Sequence, residues 1–141
     1  MVNSAEALSK PAHPPAPKAD LDSAFYWDGL RHHKLLLQCC SDCRRVRFPP
    51  MPVCPFCASP RSELSEAAGR GSIYSWIVVR RAFDAAFRDQ VPYTLATIDL
   101  EEGARTVARL EGGVEASFGL KVHAEFFDHP DWTELRFRAA G

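Results

Sequence analysis

The sequence lacks long hydrophobic runs and lacks an excess of charge of either sign. No stretch of its 141 residues approaches the roughly 18 to 20 apolar residues of a membrane-spanning helix. The N-terminus has neither the basic start nor the apolar run of a signal peptide, so we expect a cytoplasmic protein without a membrane partner. Because 17 Lys and Arg are balanced by 18 Asp and Glu, the charge argues against a dedicated nucleic-acid-binding domain, which is usually strongly basic.

Cysteine is absent except between positions 39 and 57, where all five occur. A disulfide framework would distribute cysteines along the chain, whereas two close pairs in a reducing compartment are typical of metal ligands. The pairs are Cys40 with Cys43 and Cys54 with Cys57, each with two intervening residues. Two such loops can bring four thiolates to one ion, which leaves no open position for substrate. The spacing therefore predicts a structural zinc site, with rubredoxin-like iron as the alternative.

The fifth cysteine, Cys39, lies next to the ligand Cys40. If the chain is extended there, neighbouring side chains point to opposite faces, so we expect Cys39 to face away from the metal. The segment that carries the cysteines has few apolar residues, and we therefore expect metal binding to supply much of its folding energy.

Recognisable catalytic motifs are also missing. The sequence contains no phosphate-binding loop, no GxSxG elbow, no dinucleotide fingerprint and no histidine pair with zinc-enzyme spacing. His32 and His33 follow a predicted helix, where they suit its C-terminus better than a metal. We predict no catalytic residue, and the pattern favours a binding or assembly module over a self-sufficient enzyme.

The chain divides into three segments by composition. Residues 1–20 are rich in Pro and Ala and predict a flexible arm. Residues 21–66 predict a helix over 21–33 followed by a ribbon of short strands around the cysteines. Residues 67–141 predict a five-stranded OB-fold barrel, so the fold class is mainly β. The barrel strands are expected at 72–81, 92–100, 104–111, 120–127 and 132–138.

Large aromatic side chains crowd the predicted helix at Phe25, Tyr26 and Trp27, and two more, Phe83 and Phe87, lie on the connection between the first two barrel strands. Two interpretations stay open. The five side chains either close the protein's own core or contact a larger partner, since aromatic residues are enriched at the centres of interfaces.

The order of these features resembles a known family. The matching segments are FYWDGLRHHKLLLQCCSDC, RVRFPPMPVCPFC, GRGSIYSWIVV, VPYTLATIDL and GARTVARLEG, which together fall within residues 22–138. The phrase RFPPMPVCPFC is the most specific of them. The family is the zinc-ribbon plus OB-fold family once catalogued as domain of unknown function thirty-five. This chain departs from the pattern at Arg44 and Ala58, where the family usually has Gly after the second cysteine of each loop.

The resemblance implies an N-terminal helical segment, a rubredoxin-like ribbon that binds structural Zn²⁺ and a C-terminal OB-fold. It implies a non-catalytic companion subunit that forms a hetero-oligomer with a thiolase-like enzyme acting on a CoA ester, or with an acyl-CoA hydratase of hot-dog fold. The alternative is an independent acyl-CoA-binding protein that uses the OB groove with Arg80 and Arg81 as cofactor contacts. A single-strand nucleic-acid binder is the third possibility, which the balanced charge disfavours.

Overall fold

The computed structural model describes residues 13–141. The first twelve residues of the predicted arm lie outside the described residues, and residues 13–20 have no regular secondary structure. Helix α1 spans Ala24–Arg31 and is shorter than the predicted 21–33. Residues 20–23 form a turn in which Ser23 N–H donates to the Asp20 carboxylate at 2.8 Å. The helix ends before His33, which adopts a left-handed φ of 58°.

Three short strands form the ribbon. They are β1 at Leu36–Cys40, β2 at Val46–Arg47 and β3 at Ser62–Glu66. Strand β1 lies in the middle and pairs antiparallel with both neighbours, so that Gln38 faces Arg47 on one side and Leu64 on the other. The two loops that carry the cysteine pairs project from the same end of this sheet.

Five longer strands close into the barrel in the order β4-β5-β6-β8-β7. All neighbouring strands are antiparallel except the parallel pair β6 and β8, and a 3-10 turn at Ala85–Phe87 lies between β4 and β5. The predicted fold class is confirmed, with the strand bounds shifted by one or two residues. The bounds are β4 at Arg70–Val79, β5 at Tyr93–Leu100, β6 at Arg105–Glu111, β7 at Lys121–Asp128 and β8 at Thr133–Ala139.

The core is continuous between the ribbon and the barrel. Leu30 of α1 and Leu37 of β1 are almost fully buried in the same cluster as Ile98 and Phe137 of the barrel. Because alternate residues of a strand face the same side, the inward positions of the barrel are mostly apolar, with the buried threonines Thr106 and Thr133 as exceptions. At Gly71 the strands β4 and β5 approach so closely that a Cβ would lie 2.5 Å from the carbonyl oxygen of Asp99.

Tyr26 belongs to this core, because only 6% of the residue is exposed. The interface interpretation is therefore wrong for Tyr26. Phe25 and Trp27 are half-buried and pack against the core, whereas Phe83 is 88% exposed. Among the described residues no helix is long and apolar enough to cross a membrane.

Candidate metal centre and barrel groove

The sulfur atoms of Cys40, Cys43, Cys54 and Cys57 converge, all within 4.8 Å of one another. The Sγ atoms of Cys40 and Cys57 are 3.6 Å apart, as are those of Cys43 and Cys54. Four sulfurs at about 2.3 Å from one tetrahedral ion would be about 3.8 Å apart, so the observed spacing fits a single Cys₄ ion. The donor set and its spacing fit Zn²⁺ without rearrangement.

The two cysteine loops have the same backbone geometry. Arg44 N–H donates to the Cys40 carbonyl at 3.0 Å, and Ala58 N–H donates to the Cys54 carbonyl at 2.8 Å. Each loop then requires a left-handed residue, with φ of 66° at Arg44 and 64° at Ala58. Glycine adopts this conformation without a steric cost, which gives a physical reason for the glycines usual at these positions.

Backbone amides favour the thiolate form of the ligands. Cys43 N–H donates to Cys40 Sγ and Phe56 N–H donates to Cys54 Sγ, each at 3.4 Å. The hydrogen bond from Cys43 lowers the pKa of the Cys40 thiol to about 6. A thiolate is the form that binds a metal, so the Cys40 sulfur is prepared for the ion, whereas burial and the neighbouring sulfurs raise the pKa of Cys43 and of Cys57.

A polar clamp, which we define as Asp42, Ser59 and Arg61, joins the two cysteine loops from outside the sulfur cluster. The Ser59 hydroxyl donates to the Asp42 carboxylate, and Arg61 Nη2 donates to its other oxygen at 2.6 Å. The Ser59 hydroxyl and then the Arg61 guanidinium lower the pKa of Asp42. The sequence pattern does not indicate this clamp, because its members are ordinary polar residues up to 19 positions apart.

A buried arginine orders the proline-rich loop between the cysteine pairs. Arg47 is only 3% exposed, and it donates to the side-chain oxygen of Gln38 at 3.1 Å and to the Met51 carbonyl at 3.2 Å. The same Gln38 oxygen accepts the Met51 amide. The arginine of the RFPP phrase thus joins β2, β1 and the loop that leads to Cys54.

Cys39 lies outside the four-sulfur cluster, as the alternation of an extended strand predicts. Its sulfur lies 3.5 Å from the Arg44 carbonyl oxygen and belongs to no proposed ligand set.

A second candidate site is a groove on the barrel, which we call the aromatic groove. It is a cavity of about 340 Å³ between α1, the Ala85–Phe87 turn and the outer side of β5 and β6, near the β7–β8 turn. Two charged side chains, Arg109 and Glu134, contribute to its lining. Its aromatic walls are Tyr26, Trp27, Phe87, Tyr93 and Trp132.

The arginines selected from the sequence are not part of this groove. Arg80 and Arg81 follow β4 and are exposed, and the Arg81 guanidinium lies 5.3 Å from the ring centre of Phe83. The groove instead holds Arg109, whose guanidinium lies 4.7 Å from the ring centre of Tyr93 and forms an ion pair with Glu111 at 2.8 Å. Polar and apolar residues alternate along β6, and Arg109 is one of the polar ones. The sequence did not show which face of the barrel Arg109 occupies.

The histidines join structural elements. His33 Nε2 lies 2.9 Å from the Asp128 carboxylate, and His129 Nε2 lies 2.8 Å from Glu134. His32 Nδ1 lies 2.9 Å from the carbonyl oxygen of Asp28 in its own helix. Within residues 13–141, no side-chain hydrogen bond joins a histidine ring to a hydroxyl or thiol.

Two family models match this chain, and they meet between the ribbon and the barrel. The model described as the ChsH2 rubredoxin-like zinc ribbon domain matches residues 27–63, and the ChsH2 C-terminal OB-fold domain matches residues 65–127. A solved structure titled Ltp2-ChsH2(DUF35) aldolase is 34% identical with a TM-score of 0.81, and the match covers 89% of this chain and all of that one. The chain belongs to the DUF35 family. The resemblance noted from the sequence is thus confirmed.

Two curated relatives are named as parts of CoA-ester enzymes. One is a probable enoyl-CoA hydratase alpha subunit of Thermomonospora curvata, 39% identical over 129 residues, a match that covers 89% of this chain and 40% of that protein. Another is the benzoylsuccinyl-CoA thiolase subunit BbsA of Thauera aromatica, 32% identical over 101 residues, covering 71% of this chain and 62% of BbsA. The chain thus spans about two fifths of the hydratase subunit.

Proposed function

We propose that this DUF35 chain is a non-catalytic, zinc-containing subunit of an acyl-CoA-processing complex with a thiolase-type enzyme. The observation that carries the proposal is the match to the whole DUF35 chain of an aldolase structure at 34% identity. The name of the thiolase subunit BbsA is what points to a thiolase-type partner. Carbon–carbon bond cleavage or formation on a CoA ester would then occur on the partner.

Zn²⁺ in this proposal has a structural role. The four thiolates of Cys40, Cys43, Cys54 and Cys57 would hold it, and the bound ion would link the two cysteine loops. The polar clamp supports that link from outside, because Asp42 lies in one loop and Ser59 and Arg61 follow the other. With its two loops linked in this way, the ribbon would keep one conformation where it meets the barrel or a partner.

The exposed apolar surface of the barrel supports an assembly role. Phe83 is 88% exposed, and Ile77 and Val107 on the outer face of the barrel are each at least 60% exposed. Large exposed apolar side chains of this kind are typical of protein contact surfaces when they form a patch. A partner enzyme that covers this face would bury them.

A subunit of an acyl-CoA hydratase is the second candidate, and the hydratase alpha subunit of Thermomonospora curvata is the observation that favours it. Because this chain spans 40% of that protein, the hydratase activity would again belong to other polypeptide segments.

Contact with the CoA ester is a finer part of the proposal. Arg80 and Arg81 are exposed beside Phe83, so an anionic cofactor held between subunits could approach them. A double change to Ala would then raise the KM for the CoA ester in the assembled complex without lowering the amount of complex. A KM that stays at the wild-type value would show that these arginines do not contact the CoA ester.

Co-expression distinguishes the candidates. The chain is produced with a thiolase-type enzyme and, separately, with a hot-dog-fold hydratase, each from the same organism, and the products are sized by gel filtration with light scattering. We expect a stable hetero-oligomer with the thiolase-type enzyme and no acyl-CoA turnover by the isolated chain. Assembly only with the hydratase would favour the second candidate, and turnover by the isolated chain would contradict both.

A further inference from the structure

Strand β4 has one side that is paired over only part of its length. On its other side it pairs with β5 as far as Val79, whereas here its ladder with β7 covers only Arg70–Ser72. The loop before β7 adds hydrogen bonds to both backbone groups of Ile73. Within residues 13–141, no backbone hydrogen bond continues along this side over residues 74–79. We call residues 74–79 the free edge.

The free edge presents a row of backbone donors and acceptors. In an antiparallel ladder, alternate residues direct both backbone groups toward the partner strand, and the residues between them direct both groups away. Because β4 pairs with β5 from Ser75 to Val79, every second residue of the free edge directs its N–H and C=O to the unpaired side. The ligand that satisfies such a row is another extended strand, as in proteins that add a peptide to an open sheet edge.

The sequence of the free edge lacks the usual protections against pairing. Natural edge strands carry charged residues or proline that prevent association with another strand. Residues 74–79 read YSWIVV, with no charge, no proline and no glycine. The one irregularity, a shift in register between Ile73 and Ser75, lies at the start of the segment. Six residues of this composition pair readily with another chain, so we expect the edge to be covered in the functional assembly.

Apolar side chains are exposed on both faces of the free edge. Ile77 is 62% exposed, and Val78, which points to the opposite face, is 44% exposed. Phe118 is 79% exposed on the Val78 side, where its ring centre lies 4.9 Å from that of Trp76. The side chains of an added strand alternate between the two faces, so on each face they would meet an apolar neighbour.

The charge at the end of the free edge indicates which strand fits. Arg80 follows β4, is exposed and forms no ion pair within residues 13–141. A second copy paired along its own free edge would bring residues 72 and 73 near Arg80, and the segment SIYSWIVV contains no acid. A strand of another protein can place a carboxylate there. Such an exposed ion pair contributes about 0 to 1 kcal/mol, so it would orient the strand without deciding whether the complex forms.

We infer that the free edge of β4 binds an extended strand of the thiolase-type partner, which adds to the sheet beside β4. The strand carries apolar side chains on both faces and an acidic residue near Arg80. This inference rests on the proposed function, because it identifies the backbone of this chain that the partner subunit contacts. It also accounts for the exposure of Phe118, which the added strand would cover.

Hydrogen exchange of the backbone amides tests the inference without a substitution. The ¹⁵N-labelled chain, alone or assembled with the thiolase-type enzyme, is exchanged in D₂O, dissociated under quench conditions and examined by NMR. In the isolated chain, every second amide of residues 74–79 should exchange fast. In the complex these same amides should exchange about fivefold or more slowly, the ratio expected for one added net hydrogen bond.

If the fast amides stay fast in a complex that gel filtration shows to be intact, the inference is wrong and the proposed function stands. Absence of a complex would contradict both. If all amides of the segment are already protected in the isolated chain, the edge is not free and the inference is again wrong.

A substitution at the edge gives an independent test. Ile77→Lys places a charge where the added strand would lie, and the side chain is exposed enough for the variant to fold. We expect affinity for the partner to fall about tenfold or more, with little change in the melting temperature of the isolated chain. Leu64→Lys is the matched control, because Leu64 is a similarly exposed strand residue on the ribbon. Wild-type affinity in Ile77→Lys, or an equal loss in Leu64→Lys, would overturn the inference.

Discussion

The residue that follows the second cysteine of each loop must adopt a left-handed backbone conformation, although its side chain disfavours that conformation. Arg44 and Ala58 both have positive φ angles, near 65°. The left-handed conformation costs an ordinary residue roughly 1 to 2 kcal/mol relative to its usual helix conformation. At Arg44, an exposed ion pair with Glu63 at 3.6 Å offsets little of this conformational cost, because exposed ion pairs contribute about 0 to 1 kcal/mol of stability. The polar clamp supports the loops in this geometry, and a bound metal would support it further.

Replacing Ala58 with Gly should stabilise the protein. The change removes the left-handed strain, and the greater freedom of Gly in the unfolded chain offsets part of that gain, so we expect the free energy of unfolding to rise by about 0.5 kcal/mol. Urea denaturation at a fixed zinc concentration measures it. Ala85→Gly is the matched control, because Ala85 is exposed and has no left-handed φ. The control should be neutral or destabilised, and a loss of stability in Ala58→Gly would contradict the argument.

Metal content is the prediction that tests the four ligands. The purified protein should hold about one zinc per chain, and Cys43→Ser or Cys54→Ser should lose most of it, since three thiolates do not close the site. Elemental analysis of reduced, folded protein gives the ratio. Cys39→Ser is the control that keeps its zinc, because Cys39 lies outside the sulfur cluster. A wild-type protein that folds without metal would refute the structural role.

At the scale of elements, helix α1 is tied to the turn between β7 and β8. Arg31 donates to the carbonyl oxygens of His129 and Pro130, each at 3.0 Å. His33 pairs with Asp128 and stacks on Phe126, with ring centres 5.2 Å apart and planes nearly parallel. These contacts join residues about 95 positions apart and fix α1 against the outer face of the barrel.

The Asp128 carboxylate makes this junction sensitive to acid. Hydrogen bonds from the Thr133 hydroxyl and then from His33 lower its pKa below the ordinary value of 3.8. Its contribution to stability is therefore present above about pH 3.8 and is lost as the pH falls through the lower pKa of the folded state. We expect the free energy of unfolding to fall less steeply below pH 4 in Asp128→Asn than in the wild type.

Urea denaturation of both proteins from pH 6 to pH 3 measures this difference. Release of zinc in acid is common to the two proteins and cancels in the comparison. Thr133→Val should raise the pKa of Asp128, followed by NMR of its carboxyl carbon, because it removes the first of the two hydrogen bonds. Parallel stability curves for wild type and Asp128→Asn would show that the junction carries no acid-sensitive stability.

At the scale of the whole molecule, the five aromatic side chains serve different purposes. Tyr26 lies in the core that the ribbon and barrel share, whereas Phe83 stands almost fully in solvent. Trp27 and Phe87 are half-buried walls of the aromatic groove, so truncating either would mix loss of packing with loss of a contact. Phe83 is therefore the cleaner probe of a partner surface.

Phe83→Ala should weaken copurification of a thiolase-type partner while the melting temperature of the isolated chain stays nearly constant. Its side chain makes little contact that unfolding would remove, and a central aromatic residue of an interface contributes about 2 kcal/mol or more to binding. Tyr26→Ala is the matched core variant and should lose roughly 3 to 5 kcal/mol of stability, which lowers the melting temperature by several degrees. Full partner retention by Phe83→Ala would place the interface elsewhere on the barrel.

Local patterns in the sequence were enough to predict the metal site and the class of fold. Cys40, Cys43, Cys54 and Cys57 were recognisable because their short spacing is itself the condition for two loops to share one ion. The barrel strands were predicted to within one or two residues at most ends, because alternating apolar residues such as those of 120–127 reflect a two-residue period. The helix was overestimated, since the left-handed turn at His33 carries no glycine or proline signal.

Only the tertiary structure determined which side chains are buried and which distant residues are in contact. It placed Tyr26 in the core and Phe83 in solvent, although both are aromatic residues next to other apolar residues in the sequence. It also brought Asp42 into contact with Arg61, which lies 19 positions away. It also laid α1 and Pro14 over the barrel face that holds Arg109. These arrangements depend on the packing of segments distant in sequence, whose combined burial selects one face for each side chain, whereas the ligand spacing and the strand period are properties of neighbouring residues alone.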